Sequence, residues 1–271
     1  MSGQESAALA RLDGRAVVVL GAGGGGIGNA TCRTLAAAGA KLFCVDLDPA
    51  QAESSAAECG GTAHAADVTD RAQMEALFAR ATELYGTSLY GIVDVVGRSR
   101  VAPLAAMDDD ALTQQFDLVL RHALLAVQIG APLLAKNGGG CMTLIGSAAG
   151  SRAIENISAY GIAKSAVHHL VRCAALEYGP AGVRVNGIAP SYVATPRVAG
   201  ALPQQVWDAV TAANPLRRIA TPQDVANAVL LLSCDLAAYI TGNIVMLDGG
   251  VTNVVPAPGL EALPVLRSTT N

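Results

Sequence analysis

Aromatic and charged residues are scarce in this chain of 271 residues, at 4% and 15% of the total, and only one residue is a tryptophan. A net charge of −4 gives no reason to expect binding to nucleic acid or to an anionic membrane surface. No apolar run approaches the roughly 18–20 residues of a membrane span, and the first ten residues lack the pattern of a signal peptide. We therefore expect a soluble, cytoplasmic protein.

Cysteines in metal-ligand or redox spacing are also missing. The chain has six cysteines, scattered without a C-x-x-C pair and without histidines at ligand spacing. This pattern is typical of buried, reduced thiols, and it predicts no metal site.

What the chain does have is a large apolar fraction, 52%, arranged as short β-rich runs that alternate with alanine-rich helical patterns. Strands are predicted at 16–20, 41–46, 62–66, 89–96, 141–146, 183–189 and 243–247; helices are predicted at 27–38, 49–58, 70–85, 109–136, 156–179 and 222–234. Strands that are almost continuously apolar are typical of parallel sheets buried on both faces. The fold class is therefore α/β: a doubly wound, Rossmann-like parallel sheet, with ligands at the carboxyl ends of its strands.

Two segments stand outside this alternation. We expect residues 1–250 to form one domain, in which the proline-containing segment 191–221, with Trp207, has no strand partner and covers a bound substrate. The alternative is a surface excursion in which Trp207 is buried only for packing. The tail 251–271 is either an arm against a neighbouring subunit or partly disordered.

A glycine-rich turn, Gly21-Ala-Gly-Gly-Gly-Gly26-Ile27-Gly28, follows the first predicted strand and precedes a helix. Glycines let backbone N–H groups approach a pyrophosphate at a helix N-terminus, where the dipole favours negative charge. The G-x-G-x-x-G spacing fits twice here, so the position between strand and helix carries the prediction.

Acidic residues end the next two strands. Asp46 closes the second strand, where a carboxylate hydrogen-bonds the adenosine ribose hydroxyls and repels a 2′-phosphate, so NAD is favoured over NADP. Asp67 and Val68 follow the third strand and are candidates for adenine contact, with an N-cap role for Asp67 as the alternative.

Tyr160 and Lys164 lie four residues apart in a predicted helix and therefore share one helical face. A nearby cation favours the phenolate and lowers a tyrosine's pKa, so the pair predicts a phenol that acts as an acid or base near neutral pH. Ser147, at the end of a separate strand, is positioned to hold the oxygen whose proton is moved.

Taken together, these motifs make the chain resemble a short-chain dehydrogenase/reductase from about Leu12 to Gly250. The further matching elements are Asn186-Gly-Ile-Ala-Pro190, Thr195, Thr241-Gly242 and Asp248-Gly249-Gly250. The resemblance implies hydride transfer between an alcohol or ketone and nicotinamide. It implies that Tyr160 is the general acid/base, that Lys164 lowers its pKa and binds the nicotinamide ribose, and that Ser147 holds the substrate oxygen. It also implies that the backbone of Pro190–Val193 and the Thr195 hydroxyl contact the carboxamide end of the cofactor.

Several positions depart from the family pattern. The usual Asn-Asn-Ala-Gly is Asp94-Val-Val-Gly97, and Val119 stands where the family has an asparagine that is thought to order a water for proton relay. His122 lies on roughly the same helical face and is either a polar contributor or a packing histidine. Ser191 replaces a glycine, and in the glycine turn either Ala22 replaces a glycine or the loop is one residue longer.

The expected function is NAD-dependent interconversion of a hydrophobic secondary alcohol and its ketone. An NAD-binding sensor or partner subunit without turnover is the alternative, and a 3-oxoacyl reductase is a weaker one. The apolar residues of 191–221 and of the loop after Ser147 suggest a hydrophobic substrate, although Arg98, Arg100 and Arg152 leave room for a charged one. Apolar helices at 109–136 and 156–179 predict a homotetramer, with a dimer as the fallback.

Overall fold

A computed structural model describes residues 8–253 of the chain. Seven strands form one parallel sheet in the order β3-β2-β1-β4-β5-β6-β7. They are β1 Ala16–Leu20, β2 Lys41–Asp46, β3 Thr62–Ala65, β4 Leu89–Asp94, β5 Gly140–Ile145, β6 Val183–Pro190 and β7 Ile244–Leu247. The doubly wound fold predicted from the sequence is confirmed. The predicted role of the tail falls outside the described residues, except for 251–253.

Helices pack on both faces of the sheet. They are α1 Ile27–Ala37, α2 Pro49–Cys59, α3 Arg71–Tyr85, α4 Asp109–Lys136, α5 Ser158–Tyr178, α6 Pro196–Ala199, α7 Gln204–Ala213 and α8 Pro222–Ser233. Alternate residues of β1 enter different cores. Val18 and Leu20 pack in the cluster that includes side chains of α3, α4 and α5, whereas Val17 and Val19 pack in the cluster that includes those of α1 and α8.

The ends of several helices are fixed by residues that sequence rules identify. Asp48 and Asp70 cap α2 and α3, and Thr221 and Asp224 form a reciprocal capping box at the start of α8. Asp108 caps α4, accepting a hydrogen bond from the Ala111 amide at 2.7 Å. The predicted strand 89–96 ends earlier, at Asp94, because the Asp94 carboxylate accepts the amide hydrogen of Val96 (3.0 Å) and turns the chain.

The helix α4 corrects one expectation. It is long and apolar enough to cross a membrane by length and composition, with mean hydropathy 1.6 over 18 residues. The expectation that no apolar stretch approaches this length is therefore wrong, because the polar residues in α4 are too few to lower the average. Half of that stretch is buried inside the protein, and a core helix of a soluble protein passes the same test.

Within α4, two stretches have π-helical geometry, Asp117–Arg121 and Ala126–Gly130. Such π-bulges widen a helix locally and are frequent at functional sites. The first of them contains the buried Val119 and directly precedes His122, so the backbone is irregular at the residues that depart from the family pattern.

The segment 191–221 is more ordered than the sequence predicts. It contains α6 and α7, and an isolated parallel bridge joins Val193 to Ala220 within the segment itself; as expected, the segment pairs with none of the seven strands. No residue of α7 is buried. Trp207 is half-buried and packs edge-to-face against Tyr192, with 6.4 Å between ring centroids.

Candidate active site

The glycine turn lies at the carboxyl end of β1, and its shape requires glycine at two positions, 21 and 28. Gly21 has φ of 81°, in the left-handed region that favours glycine. A methyl group added at Gly28 would lie 1.9 Å from the Gly21 carbonyl oxygen, so α1 can start this close to β1 only with glycine at 28. The helix α1 begins at Ile27, and within the described residues no side chain caps it. Its first amides are therefore left for a ligand.

Asp46 reaches back from β2 to this turn. Its Oδ2 accepts the Gly23 amide hydrogen at 2.8 Å, and its Oδ1 accepts that of Asp48 at 3.2 Å. A side chain that sequence reasoning missed, Gln51, fixes the next residue by accepting the Gly24 amide hydrogen at 2.8 Å. The carboxylate is thus held beside the glycine turn, where the sequence predicts contact with an adenosine ribose.

The predicted adenine-side residues follow β3. Asp67 accepts hydrogen bonds from the Thr69 amide (2.9 Å) and hydroxyl (2.7 Å), while the cap of α3 is Asp70. The alternative role of Asp67 as helix cap is therefore wrong. Val68 is buried in the core, with 7% of its surface exposed.

On the other side of the glycine turn lies the start of segment 191–221, called the covering segment below after its expected role. A methyl group added at Gly26 would lie 3.7 Å from Thr195 Cγ2, so Thr195 faces the turn. Its hydroxyl accepts the Val198 amide hydrogen at 3.3 Å and caps α6. Pro190 ends β6, and Val193 is held by its bridge to Ala220. Strand β6 and the covering segment therefore meet beside the N-terminus of α1.

Ser147, Tyr160 and Lys164 converge at the carboxyl end of β5. Ser147 follows β5, and its hydroxyl accepts the Ala149 amide hydrogen at 3.1 Å; the same side chain acts to lower the pKa of Tyr160 on α5. Lys164, one turn further along α5, is buried, and its Nζ donates to the Ile145 carbonyl at 2.6 Å and lies 5.8 Å from the centroid of the Tyr160 ring. The three candidate catalytic side chains are thus brought together, as the sequence predicts.

The protonation of this cluster corrects the expectation about Tyr160. Burial raises the pKa of the phenol, and the hydrogen bond with Ser147 lowers it only in part, so the predicted lowering by Lys164 is wrong for the protein without ligands. The reason is that the Lys164 ammonium is turned towards the Ile145 carbonyl rather than bonded to the phenol. Burial also lowers the pKa of Lys164 itself, to about 8, and the charge of Asp94 opposes that effect.

Asp94 and His122, two of the departures from the family pattern, contact each other. His122 Nδ1 lies 2.7 Å from Asp94 Oδ2, and both side chains are at most 2% exposed. Val119 is fully buried on the same helix. The His122 ring is thus packed in the core and also contributes a polar group, which contacts a buried carboxylate.

A second histidine, missed from the sequence, lies behind the serine loop. His168 Nε2 is 3.4 Å from the Ser147 amide nitrogen, and its Nδ1 is 3.4 Å from the Ser151 hydroxyl. Its position four residues after Lys164 on α5 is the signal that could have revealed it.

Comparison with known proteins agrees with this geometry. A family model described as "Enoyl-(Acyl carrier protein) reductase" matches residues 21–252. The chain is 34% identical over 245 residues to cis-4-hydroxycyclohexanecarboxylate dehydrogenase of Sinomonas cyclohexanicum, covering 89% of this chain and 97% of that one. The solved structure of a short-chain dehydrogenase/reductase from Burkholderia xenovorans is 30% identical, with a TM-score of 0.84 over 91% of this chain and 99% of the other.

The chain belongs to the short-chain dehydrogenase/reductase family. A 7α-hydroxysteroid dehydrogenase, solved in complex with NADH and 7-oxo glycochenodeoxycholic acid, is 31% identical to this short-chain dehydrogenase, with a TM-score of 0.86 over 92% of this chain and 98% of that one. Membership of this family makes the protein an oxidoreductase.

Proposed function

We propose that this short-chain dehydrogenase uses NAD to interconvert a hydrophobic secondary alcohol and its ketone. The observation that carries the proposal is the convergence of Ser147, Tyr160 and the buried Lys164 ammonium at the same edge of the sheet as the glycine turn and Asp46. Relatives and neighbours whose names describe dehydrogenases of cyclic alcohols and of a hydroxysteroid support this choice of substrate class.

The residues present fit NAD. The uncapped start of α1 offers amides to a pyrophosphate, and a Cβ at Gly24 would meet open space, so the outer side of the turn is accessible. Asp46 supplies a carboxylate for ribose hydroxyls, and its neighbour Leu47 is exposed and carries no cation for a 2′-phosphate. The proposed cofactor site also includes the other residues that the sequence predicts for it: Gly21, Gly26, Ile27, Gly28, Asp67, Val68, Pro190, Val193, Thr195, Tyr160 and Lys164.

The chemistry follows from what each side chain is able to do. Bound NAD supplies the hydride acceptor. In the oxidation direction, the phenolate form of Tyr160 takes the proton of the alcohol and becomes the phenol as hydride leaves the carbinol carbon, while the Ser147 hydroxyl holds the alcohol oxygen. In the reduction direction the raised pKa keeps Tyr160 protonated near neutral pH, so it is ready to donate a proton to the ketone oxygen. The Lys164 ammonium would hold the nicotinamide ribose.

The surroundings support a hydrophobic substrate. The loop after Ser147 contains the apolar residues Ala148 and Ala149, and the covering segment contains the packed pair Tyr192 and Trp207. The exposed Arg98 and Arg100 follow β4, so small hydroxy acids belong among the test compounds.

The proposal also includes location and assembly: the protein works in the cytoplasm as a homotetramer, or as a dimer.

The test is to mix the purified protein with NAD or NADP and a panel of cyclic, steroid and aromatic secondary alcohols, following NADH absorbance. We expect turnover with NAD in preference to NADP. The Tyr160→Phe variant should lose about 10²–10⁴-fold in kcat/KM, the usual contribution of a general acid/base, while its NADH affinity stays within a few-fold.

Three outcomes would contradict parts of this proposal. Tight NAD binding without turnover on any ketone or alcohol would favour the second candidate, an NAD-binding sensor or partner subunit. Turnover of a 3-oxoacyl thioester with NADP would favour a 3-oxoacyl reductase. Full activity of Tyr160→Phe would refute the acid/base role of the tyrosine. Retention of Ser147, Tyr160 and Lys164 in one cluster favours the enzyme, since a site without chemistry has no reason to hold all three.

A further inference from the structure

A buried acid and a buried imidazole form a hydrogen-bonded pair beside the candidate catalytic lysine. Asp94 is the last residue of β4, and His122 follows the first π-helical stretch of α4. Their contact, 2.7 Å from Nδ1 to Oδ2, lies in the layer between the sheet and helices α4 and α5. Val119, where the family has an asparagine, offers no polar side-chain atom to this layer.

The hydrogen bonds indicate which atom carries the proton. An ionised carboxylate only accepts, so His122 Nδ1 donates to Asp94 Oδ2, and the other oxygen accepts from the Val96 amide at 3.0 Å. His122 Nε2 is buried without a hydrogen-bond partner in the described part of the chain. The contact with Asp94 is therefore the one hydrogen bond that this ring makes within the described residues.

A buried positive charge lies at the same end of β4. Lys164 is 2% exposed, and its Nζ lies against Gly97, where an added Cβ would be 3.2 Å away. The same Nζ donates to the carbonyl of Ile145, which follows Leu144, the β5 partner of Asp94. Burial disfavours the ammonium, and the attraction of Asp94 is the charge interaction that opposes this loss. The titratable groups of α5 near Lys164 are Tyr160 and His168, and neither supplies a negative charge near neutral pH. Burial raises the pKa of Tyr160 and lowers the pKa of His168 to about 4. From α4, His122 reaches this layer through its contact with Asp94.

We propose that Asp94 and His122 are positioning residues for Lys164: the imidazole holds the carboxylate in place at the end of β4, and the negative charge of the carboxylate stabilises the buried Lys164 ammonium. The effect of this pair on the reaction rate rests on the proposed function, in which Lys164 takes part in catalysis. The proposal assigns a role to two residues at which this chain departs from its family, and it makes the pair act on the reaction through Lys164 rather than by touching substrate.

The central test is the Asp94→Asn variant, which keeps the shape of the side chain and an oxygen for the Val96 amide but removes the charge. Two properties are measured against pH: the rate of ketone reduction with NADH, and the dissociation constant of NADH by fluorescence. In the parent protein the rate should fall and the dissociation constant should rise as pH increases through about 8, where Lys164 loses its proton. In Asp94→Asn both changes should begin about one pH unit lower, as expected when an opposite charge is removed.

Variants at 122 test the role of the imidazole. His122→Phe removes the partner of Asp94 and should reproduce the shifted profile, because the carboxylate loses the 2.7 Å contact that holds it in place. His122→Asn places an amide donor near the position of Nδ1 and should restore the parental profile. Lys164→Met should abolish the change of the NADH dissociation constant near pH 8. This result would show that the change is caused by the titration of Lys164.

The matched control is Thr143→Val, which also alters a buried polar side chain, one strand away on β5. Thr143 pairs with Val93 and its hydroxyl is buried without a hydrogen-bond partner among the described residues. We expect its pH profile to superimpose on that of the parent.

If Asp94→Asn lowers the melting temperature but leaves both pH profiles unshifted, the pair is only structural and the proposal is overturned. The same conclusion follows if His122→Phe and His122→Asn behave alike. Failure of the proposed function is distinguishable, since a protein without turnover still yields the NADH-binding profile, in which a shift for Asp94→Asn supports the inference and its absence refutes it.

Discussion

The His168 ring lies under the loop that carries Ser147, and its surroundings keep it neutral. Burial lowers the pKa of His168 to about 4, and the positive charges of Lys164 and Arg172 add to this. A methyl group added at Gly146 or at Gly150 would lie 2.3 Å or 2.7 Å from atoms of the ring, so two glycines are required to bring the loop this close. The position of the serine therefore depends on an uncharged imidazole.

This arrangement predicts an acid-dependent loss of stability. Between pH 6.5, the ordinary pKa of histidine, and about 4, the unfolded chain binds a proton at His168 that the folded protein does not. The free energy of unfolding should therefore fall as pH drops through this window, by about 2 kcal/mol between pH 7 and pH 5. Thermal unfolding of the parent and of His168→Gln at pH 7 and pH 5 measures the effect.

The glutamine variant should lose less stability on acidification than the parent. His169→Gln is the matched control, since this neighbouring histidine is exposed. Equal acid sensitivity of parent and His168→Gln would show that other groups account for the loss.

Among the elements, the junction between β1 and α1 has the tightest packing of the candidate site. Gly28 faces the Gly21 carbonyl and the Ala22 backbone at distances that no side chain tolerates. Asn29 Nδ2 donates to Ser55 Oγ (3.1 Å), which donates to the Ala22 carbonyl (2.8 Å), so α2 is tied to the same junction. The glycine turn is thus a rigid support rather than a flexible loop.

The junction predicts a large difference between two glycine-to-alanine variants. Gly28→Ala should destabilise the protein by about 1–3 kcal/mol or more, the cost of overpacking, and should weaken NADH binding because α1 must move. Gly179→Ala is the control, since Gly179 has helical φ of −55° and an added Cβ meets nothing within 4 Å.

Chemical denaturation and NADH titration of both variants decide the point. Gly179→Ala should be neutral or slightly stabilising. If Gly28→Ala were as stable as Gly179→Ala and bound NADH equally well, the close packing of β1 against α1 would not be what positions the cofactor.

At the scale of the whole molecule, apolar side chains remain exposed on α4 and α5. Leu124, Ile162 and Leu176 are 36%, 54% and 80% exposed, on the two helices that the sequence predicts to lie in a subunit interface. Burial of such side chains against a second copy is favourable by about 1.5–3 kcal/mol for each side chain that becomes fully buried.

We therefore expect the protein to elute as a homotetramer, with four times the 27.4 kDa mass of one chain, or as a dimer. Light scattering coupled to size exclusion measures this mass. Leu176→Lys should weaken the assembly, whereas Leu47→Lys, at a residue of the same type that is 70% exposed far from these helices, should not. A monomer at micromolar concentration in the parent would refute the expectation.

The sequence by itself determined the order of strands and helices and the identity of Ser147, Tyr160 and Lys164 as a cluster. It could do so because these features depend on local periodicity, on capping residues and on a fixed spacing along one helix. The acidic end of β2 and the glycine turn belong to the same class, since each is defined by its place after a strand.

Only the tertiary structure decided how charge is distributed around these residues. The contact between Asp94 and His122 joins residues 28 apart in the chain, and no periodicity predicts it. The raised pKa of Tyr160 and the lowered pKa of Lys164 follow from burial by elements distant in sequence, and the ammonium's turn towards Ile145 follows from the packing of α5 on β5. Local spacing therefore specified which groups meet, whereas desolvation by the whole fold set their protonation.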